Sequence, residues 1–187
     1  MKKLLFMMLA IAVFAGCSKE DENQNVWENI ITSMGQSQLS AMDVMASADC
    51  WSTKIIYQYT EAGGKGDSKK YYDSNQVLEG ASRNCSYGVR DGNLYEYRSH
   101  PLFGYPYYYT YALSGSGNNF SLVRKHDSLG KTMNIVAYDD NSMILEFYNP
   151  ADKSYPYSRE YVVRWSPDDY FWEVLMAYED LPEDKRP

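Results

Sequence analysis

The sequence predicts a mostly β protein, an antiparallel meander of about eight strands that closes as a barrel or folds as a sandwich. Apolar and polar residues alternate with period two in segment after segment from Trp51 to Trp165. Short stretches rich in Gly, Asn, Asp and Ser join these segments, among them Asp91-Gly92 and Ser114-Gly115-Ser116-Gly117-Asn118-Asn119. No helical period lies between them, which argues against the crossovers of a parallel α/β sheet.

Ahead of the strands, Asn25 to Ser47 reads as a helix or a helix pair. Val26, Ile30 and Met34 recur at helical spacing, and Leu39, Met42 and Met45 follow a weak point at Gly35. The first strand sets Trp51, Thr53, Ile55, Tyr57 and Tyr59 against Ser52, Lys54, Ile56, Gln58 and Thr60. Gly63 to Ser68 reads as a loop, and Tyr71 to Leu78 as a short strand at most. Asn84 to Arg90 and Asn93 to Ser99 make a hairpin, because Asp-Gly supplies the positive φ that a type I′ turn needs. Further strands follow over Tyr107 to Leu113, Phe120 to His126, Lys131 to Tyr138, Ser142 to Tyr148 and Ser158 to Trp165. Ser166-Pro167-Asp168-Asp169 then carries helix-start signals: a capping serine, a proline at the first position and acids in the first turn. A strand through Tyr170 to Met176 is the alternative. Leu181 to Pro187 reads as a charged tail.

The N-terminus is a different kind of segment. Lys2 and Lys3 precede an apolar run, Leu4 to Ala15, too short to span a bilayer and closed by small residues. These are the parts of a secretory signal. Phe14-Ala15-Gly16-Cys17 resembles the lipobox of bacterial lipoproteins, which implies cleavage before Cys17 and acylation of that residue with diacylglycerol and an amide-linked fatty acid. One chain anchors marginally, at roughly 0.8 kcal/mol per buried CH₂, so several are needed for stable attachment to the lipid bilayer. Ser18-Lys19-Glu20-Asp21-Glu22-Asn23-Gln24-Asn25 reads as a flexible acidic tether. It also resembles the Lys-plus-acidic tag that sends some Gram-negative lipoproteins to the outer leaflet of the outer membrane. The resulting division is a signal over 1–16, a tether over 17–25 and one domain over 26–187. The location it implies is the outer membrane, cell-surface exposed or otherwise facing the periplasm.

Losing Lys2 and Lys3 takes the formal charge from −7 to −9. An acidic domain is a poor partner for nucleic acid or an anionic bilayer, both of which attract basic patches. Of 3 cysteines, acylation consumes Cys17 and leaves Cys50 and Cys85. In an exported chain these two can pair, which would stabilise by roughly 3–4 kcal/mol in the chain-entropy treatment. Two separate buried thiols are the alternative.

An N-terminal helix, a first strand opening on Trp51, the meander and a C-terminal helix together resemble lipocalin-like small barrels over about Cys50 to Trp165. In lipocalins the first strand carries Gly-x-Trp, and its tryptophan packs under an arginine of the last strand. The resemblance gives Trp51 and Arg164, or Arg159, these barrel-closing parts, although Asp49 stands where the glycine belongs. Such a fold assigns no ligand by itself.

The densest chemical feature is aromatic: Phe103, Tyr105, Tyr107, Tyr108, Tyr109 and Tyr111, in a chain with 19 Tyr. Tyrosine combines a flat apolar face with a hydroxyl, which suits sugars, planar ligands and protein surfaces. Phe103 and Tyr105 in the loop, and Tyr107, Tyr109 and Tyr111 on one strand face, are the candidate binding residues. Against this, tyrosines in strands often only cover a sheet. Catalysis has little support. Neither His100 nor His126 has metal-ligand spacing, and His126 and Asp127, as neighbours, do not share a strand face. Ser114 to Gly117 lacks the nucleophile-elbow pattern. Glu96, Glu146 and Glu160 lie within strands, where an inward pair would imitate a glycosidase dyad. Asp139-Asp140-Asn141 lacks the rest of a calcium loop. The expectation is a non-catalytic module, without metal or cofactor, holding a small apolar or aromatic ligand inside the barrel. The alternative is a surface module that recognises glycan or another envelope protein; a carboxylate hydrolase ranks third.

Overall fold

The computed structural model describes residues 19–75, 84–99, 106–125 and 127–166. Helices α1 (Lys19–Ser33) and α2 (Ala41–Ala46) precede nine strands. These are β1 (Cys50–Glu61), β2 (Lys65–Asp73), β3 (Asn84–Arg90), β4 (Asn93–Ser99), β5 (Pro106–Ser116), β6 (Asn119–Arg124), β7 (Gly130–Tyr138), β8 (Ser142–Tyr148) and β9 (Tyr157–Trp165).

Every neighbouring pair is antiparallel, and β9 returns to pair with β1 from Cys50↔Trp165 to Tyr59↔Tyr157, which closes the sheet. The fold is a closed antiparallel barrel, and the sandwich alternative falls away. On the other edge of β1, β2 pairs with Ile55 to Glu61 and β3 with Trp51 and Ser52. Strands β2 and β3 thus lie end to end along one edge, so nine segments fill an eight-position wall. Asp91 (φ 51°) and Gly92 (φ 72°) are both left-handed, as the β3–β4 turn requires.

Several elements differ from expectation. The acidic stretch read as a free tether is helical from Lys19. Positions 20–22, acidic in the sequence, fall in its first turn, where that residue type favours helix formation. Strand β2 starts at Lys65, inside the stretch read as a loop. Its polar composition hides it, because Lys65, Asp67 and Lys69 project to solvent while pairing with β1 supplies the order. The β5–β6 turn is also tighter than expected, since the strands run to Ser116 and resume at Asn119. The expected C-terminal helix, with its strand alternative, lies outside the described residues.

Strand β1 does not keep one phase. A register shift between Thr53 and Ile55 against β9 inserts an extra residue, a β-bulge. Before it, Trp51 and Thr53 face the interior. After it, Ile56 and Gln58 take the inner face, while Tyr57 and Tyr59 turn to the outer wall. There α1 lies across them. Trp27 packs edge-on to Tyr57 at 5.9 Å, and its indole N–H donates to the Tyr59 hydroxyl. Ile30 and Met34 extend the contact.

The core fills one end of the barrel. Leu94, Leu122, Met133, Ile135, Met143, Leu145 and Val162 form it, with Val44 and Met45 of α2 closing it from below. Ser40 caps α2, accepting from the Asp43 amide. The Trp51 indole N–H donates to the Met45 carbonyl at 2.9 Å, and the Arg164 guanidinium lies 5.6 Å from the Trp51 ring centre. Arg164 also donates to the Ser47 carbonyl, the Ser47 hydroxyl and the Asp140 carbonyl. One side chain thereby ties β9, the α2 terminus and the β7–β8 turn together.

Candidate functional site

The other end of the barrel is hollow. Alternation along each strand decides what lines it. Leu94, Glu96 and Arg98 share the inner face of β4; Tyr109 and Tyr111 that of β5; Lys131 and Met133 that of β7. In each case the residue nearer the centre belongs to the apolar core, and the one nearer the rim is polar or aromatic. The result is a cavity of about 410 Å³. Tyr71, Tyr109, Tyr111, Phe147, Tyr155 and Tyr157 make its aromatic walls, and Ile56, Gln58 and Ser158 complete the β1 and β9 sides.

Its floor is charged. Glu96 and Glu160 are both buried, at 2% and 0% exposure. Arg98 binds Glu96 through Nε and donates through Nη2 to Glu160 (2.9 Å) and to the Tyr87 hydroxyl (2.8 Å). Tyr87 in turn donates to Glu160 at 2.6 Å. Lys131 donates to the second oxygen of Glu96 at 2.7 Å, and its ammonium lies over the rings of Tyr111 and Phe147. Burial alone would raise the Glu96 carboxyl, but Arg98 and Lys131 together hold it well below the usual carboxylate range. Tyr111 moves the other way, pushed up first by burial and then by the charge of Glu96 and the hydrogen bond to it. Arg124 lies at the rim, paired with Asp127 and resting on the Tyr109 ring at 4.7 Å.

The sequence-derived candidates divide accordingly. Tyr109 and Tyr111 line the cavity, whereas Tyr108 pairs with Tyr97 at 5.3 Å. The backbone alone of Tyr107 is described, and Phe103, Tyr105, His100, His126 and Cys17 lie outside the described residues. Two of the three strand glutamates do face inward, but each is tied to basic or phenolic partners. Glu146 instead pairs with Arg159 at 2.8 Å, away from the floor cluster. Asp139 is occupied with its own turn, accepting from the amides of Gly35, Asn141 and Ser142. Cys50 is a free, buried thiol, raised to about 12 by burial first and Asp49 second. For Cys85 only the backbone is described.

Arg98, Lys131, Arg124 and Phe147 were not singled out from sequence. The signal was present in phase: a charge at i±2 from an apolar strand residue shares that residue's inward face.

No family model matches the chain, and no curated protein matches it. Among solved structures it is similar to a lipocalin-like protein from Bacteroides uniformis, with 14% identity over 63% of this chain and 97% of that one, TM-score 0.41. It is also similar to bovine odorant-binding protein in complex with a selenium-containing odorant (13%, 77% and 91%, 0.41). A third is the amine-binding protein of Rhodnius prolixus in its tryptamine complex (14%, 79% and 78%, 0.42). Likenesses at these scores carry no argument; the fold stands on the strand ladders described above.

Proposed function

We propose that this protein is an exported, lipid-anchored binding module that takes a small, largely aromatic or apolar ligand into the barrel mouth and performs no chemistry on it. The observation that carries this reading is the one-ended cavity of about 410 Å³, walled by six aromatic rings and stopped by an apolar plug. Its volume lies in the range of small-molecule sites, roughly 300–1,000 Å³. The floor carboxylates support a binding role over hydrolysis. A glycosidase needs one protonated acid beside one free carboxylate, and Glu96 is held ionised by two cations.

Acylation at Cys17 and residence at the outer membrane complete the proposal. Helix α1 begins two residues after Cys17 and is clamped to the barrel by Trp27, so the anchor would sit close to the folded domain. Native mass spectrometry of the protein drawn from its own envelope tests the reading. The expected spectrum carries acyl groups on Cys17 and a small bound molecule that Tyr109→Ala releases. An unmodified Cys17 removes the anchor; a barrel that retains its fold yet never carries or takes up a small molecule removes the binding role.

A further inference from the structure

We infer that the ligand carries an anionic head group, held at the cavity floor by Lys131 and Arg98, with its ring or chain directed toward the mouth. The inference rests on the binding reading above and adds the chemical class. The floor holds equal numbers of acidic and basic side chains, but they are not equally presented. Glu96 and Glu160 keep only 3% and 1% of their side-chain surface, whereas Arg98 keeps 20% and Lys131 12%. At the rim the order is reversed, with Asp127 more exposed than its partner Arg124. The floor carboxylates lie behind their cations, so a molecule that reaches the floor meets positive charge.

Hydrogen-bonding capacity points the same way. Glu96 already accepts from Arg98, Lys131 and Tyr111, and Glu160 from Arg98 and Tyr87. An ammonium has three donors, and Lys131 spends one of them on Glu96. The aromatic faces that would cradle a ligand cation are covered instead by the protein's own: Lys131 over Tyr111 and Phe147, Arg124 over Tyr109. Buried carboxylates beneath the cations fix them in place, so no reorganisation is needed when an anion arrives. The volume of about 410 Å³ and the aromatic walls favour a compact aromatic acid over a long chain.

Three probes with one ring and different heads test this: 2-naphthoate, 2-naphthylmethanol and 2-naphthylmethylamine. Each is titrated calorimetrically into the full chain in lipid nanodiscs, with empty nanodiscs subtracted. The expected result is naphthoate binding about tenfold or more tighter than the alcohol, which a single charge-assisted hydrogen bond suffices to give. The amine is expected to bind weakest, and the naphthoate advantage to shrink as salt is raised. Lys131→Met should reduce the advantage of naphthoate over the alcohol. Equal affinities for the three heads, or a preference for the amine, would overturn the anionic class and leave the binding reading standing. No binding by any of the three would remove both.

Discussion

Changing Glu96 to Gln isolates what one buried carboxylate does for the barrel. Arg98 and Lys131 would be left facing each other across a neutral amide in a desolvated floor. Breaking such a cluster on one side costs about 3–5 kcal/mol, so Glu96→Gln should unfold at markedly lower urea than the parent. The same residue sets a pH dependence. Its carboxyl is depressed in the folded state, so the unfolded chain takes up the proton first as pH falls through the ordinary range near about 4.3. The stability it gives is therefore complete above that range and drains away below it. Equilibrium unfolding between pH 6 and 3, read at about unit intervals, should show a steeper acid limb in the parent than in Glu96→Gln. Cys50 gives a second test at this scale. Buried and raised to about 12, its thiol should resist iodoacetamide at pH 8 in the native protein and react once the chain is unfolded. Failure to react even when unfolded, with reaction restored by reductant, would demonstrate the Cys50–Cys85 bond instead.

Among the elements, α1 is held to the barrel wall through a small aromatic and apolar contact. Its inner face offers Trp27 and Ile30, with Met34 just past its end, and Trp27 makes both the ring contact with Tyr57 and the hydrogen bond to Tyr59. Trp27→Ala should cost about 3–5 kcal/mol if the helix stays docked, and less if it simply detaches. Hydrogen exchange separates these outcomes: loss of protection confined to 19–33, with β7 and β8 still protected, identifies detachment. The element scale also shows where sequence reading succeeds. The β3–β4 hairpin and β8 have the bounds their pattern predicts, because Asp91-Gly92 and the turn-bounded apolar run within Ser142–Tyr148 are locally sufficient. Strand β1 shows why it fails. Uniform alternation from Trp51 to Tyr59 conceals a bulge produced by pairing with β9, a partner about a hundred residues away in sequence. Past that point the two alternating sets exchange faces, so Tyr57 and Tyr59 become the seat of α1 while Ile56 and Gln58 line the interior.

For the whole molecule, closure by β1 and β9 separates the interior into an apolar plug and a polar, aromatic mouth. Part of the candidate site was legible: Tyr109 and Tyr111 follow from strand phase and aromatic density, and Glu96 and Glu160 lie among the strand glutamates considered as an inward pair. Their cations were not, because Arg98 and Lys131 look like surface residues until the ladders from β4 to β9 bring them within hydrogen-bond reach of the carboxylates. Their mutual neutralisation makes burial tolerable, and no single strand displays it. The central claim, that a small molecule sits in this mouth, is tested most directly by nuclear Overhauser contacts between bound 2-naphthoate and isotope-labelled tyrosines. Contacts to Tyr109, Tyr111 and Tyr157 are predicted. Contacts to Tyr97 and Tyr108, with none to the cavity rings, would contradict the account.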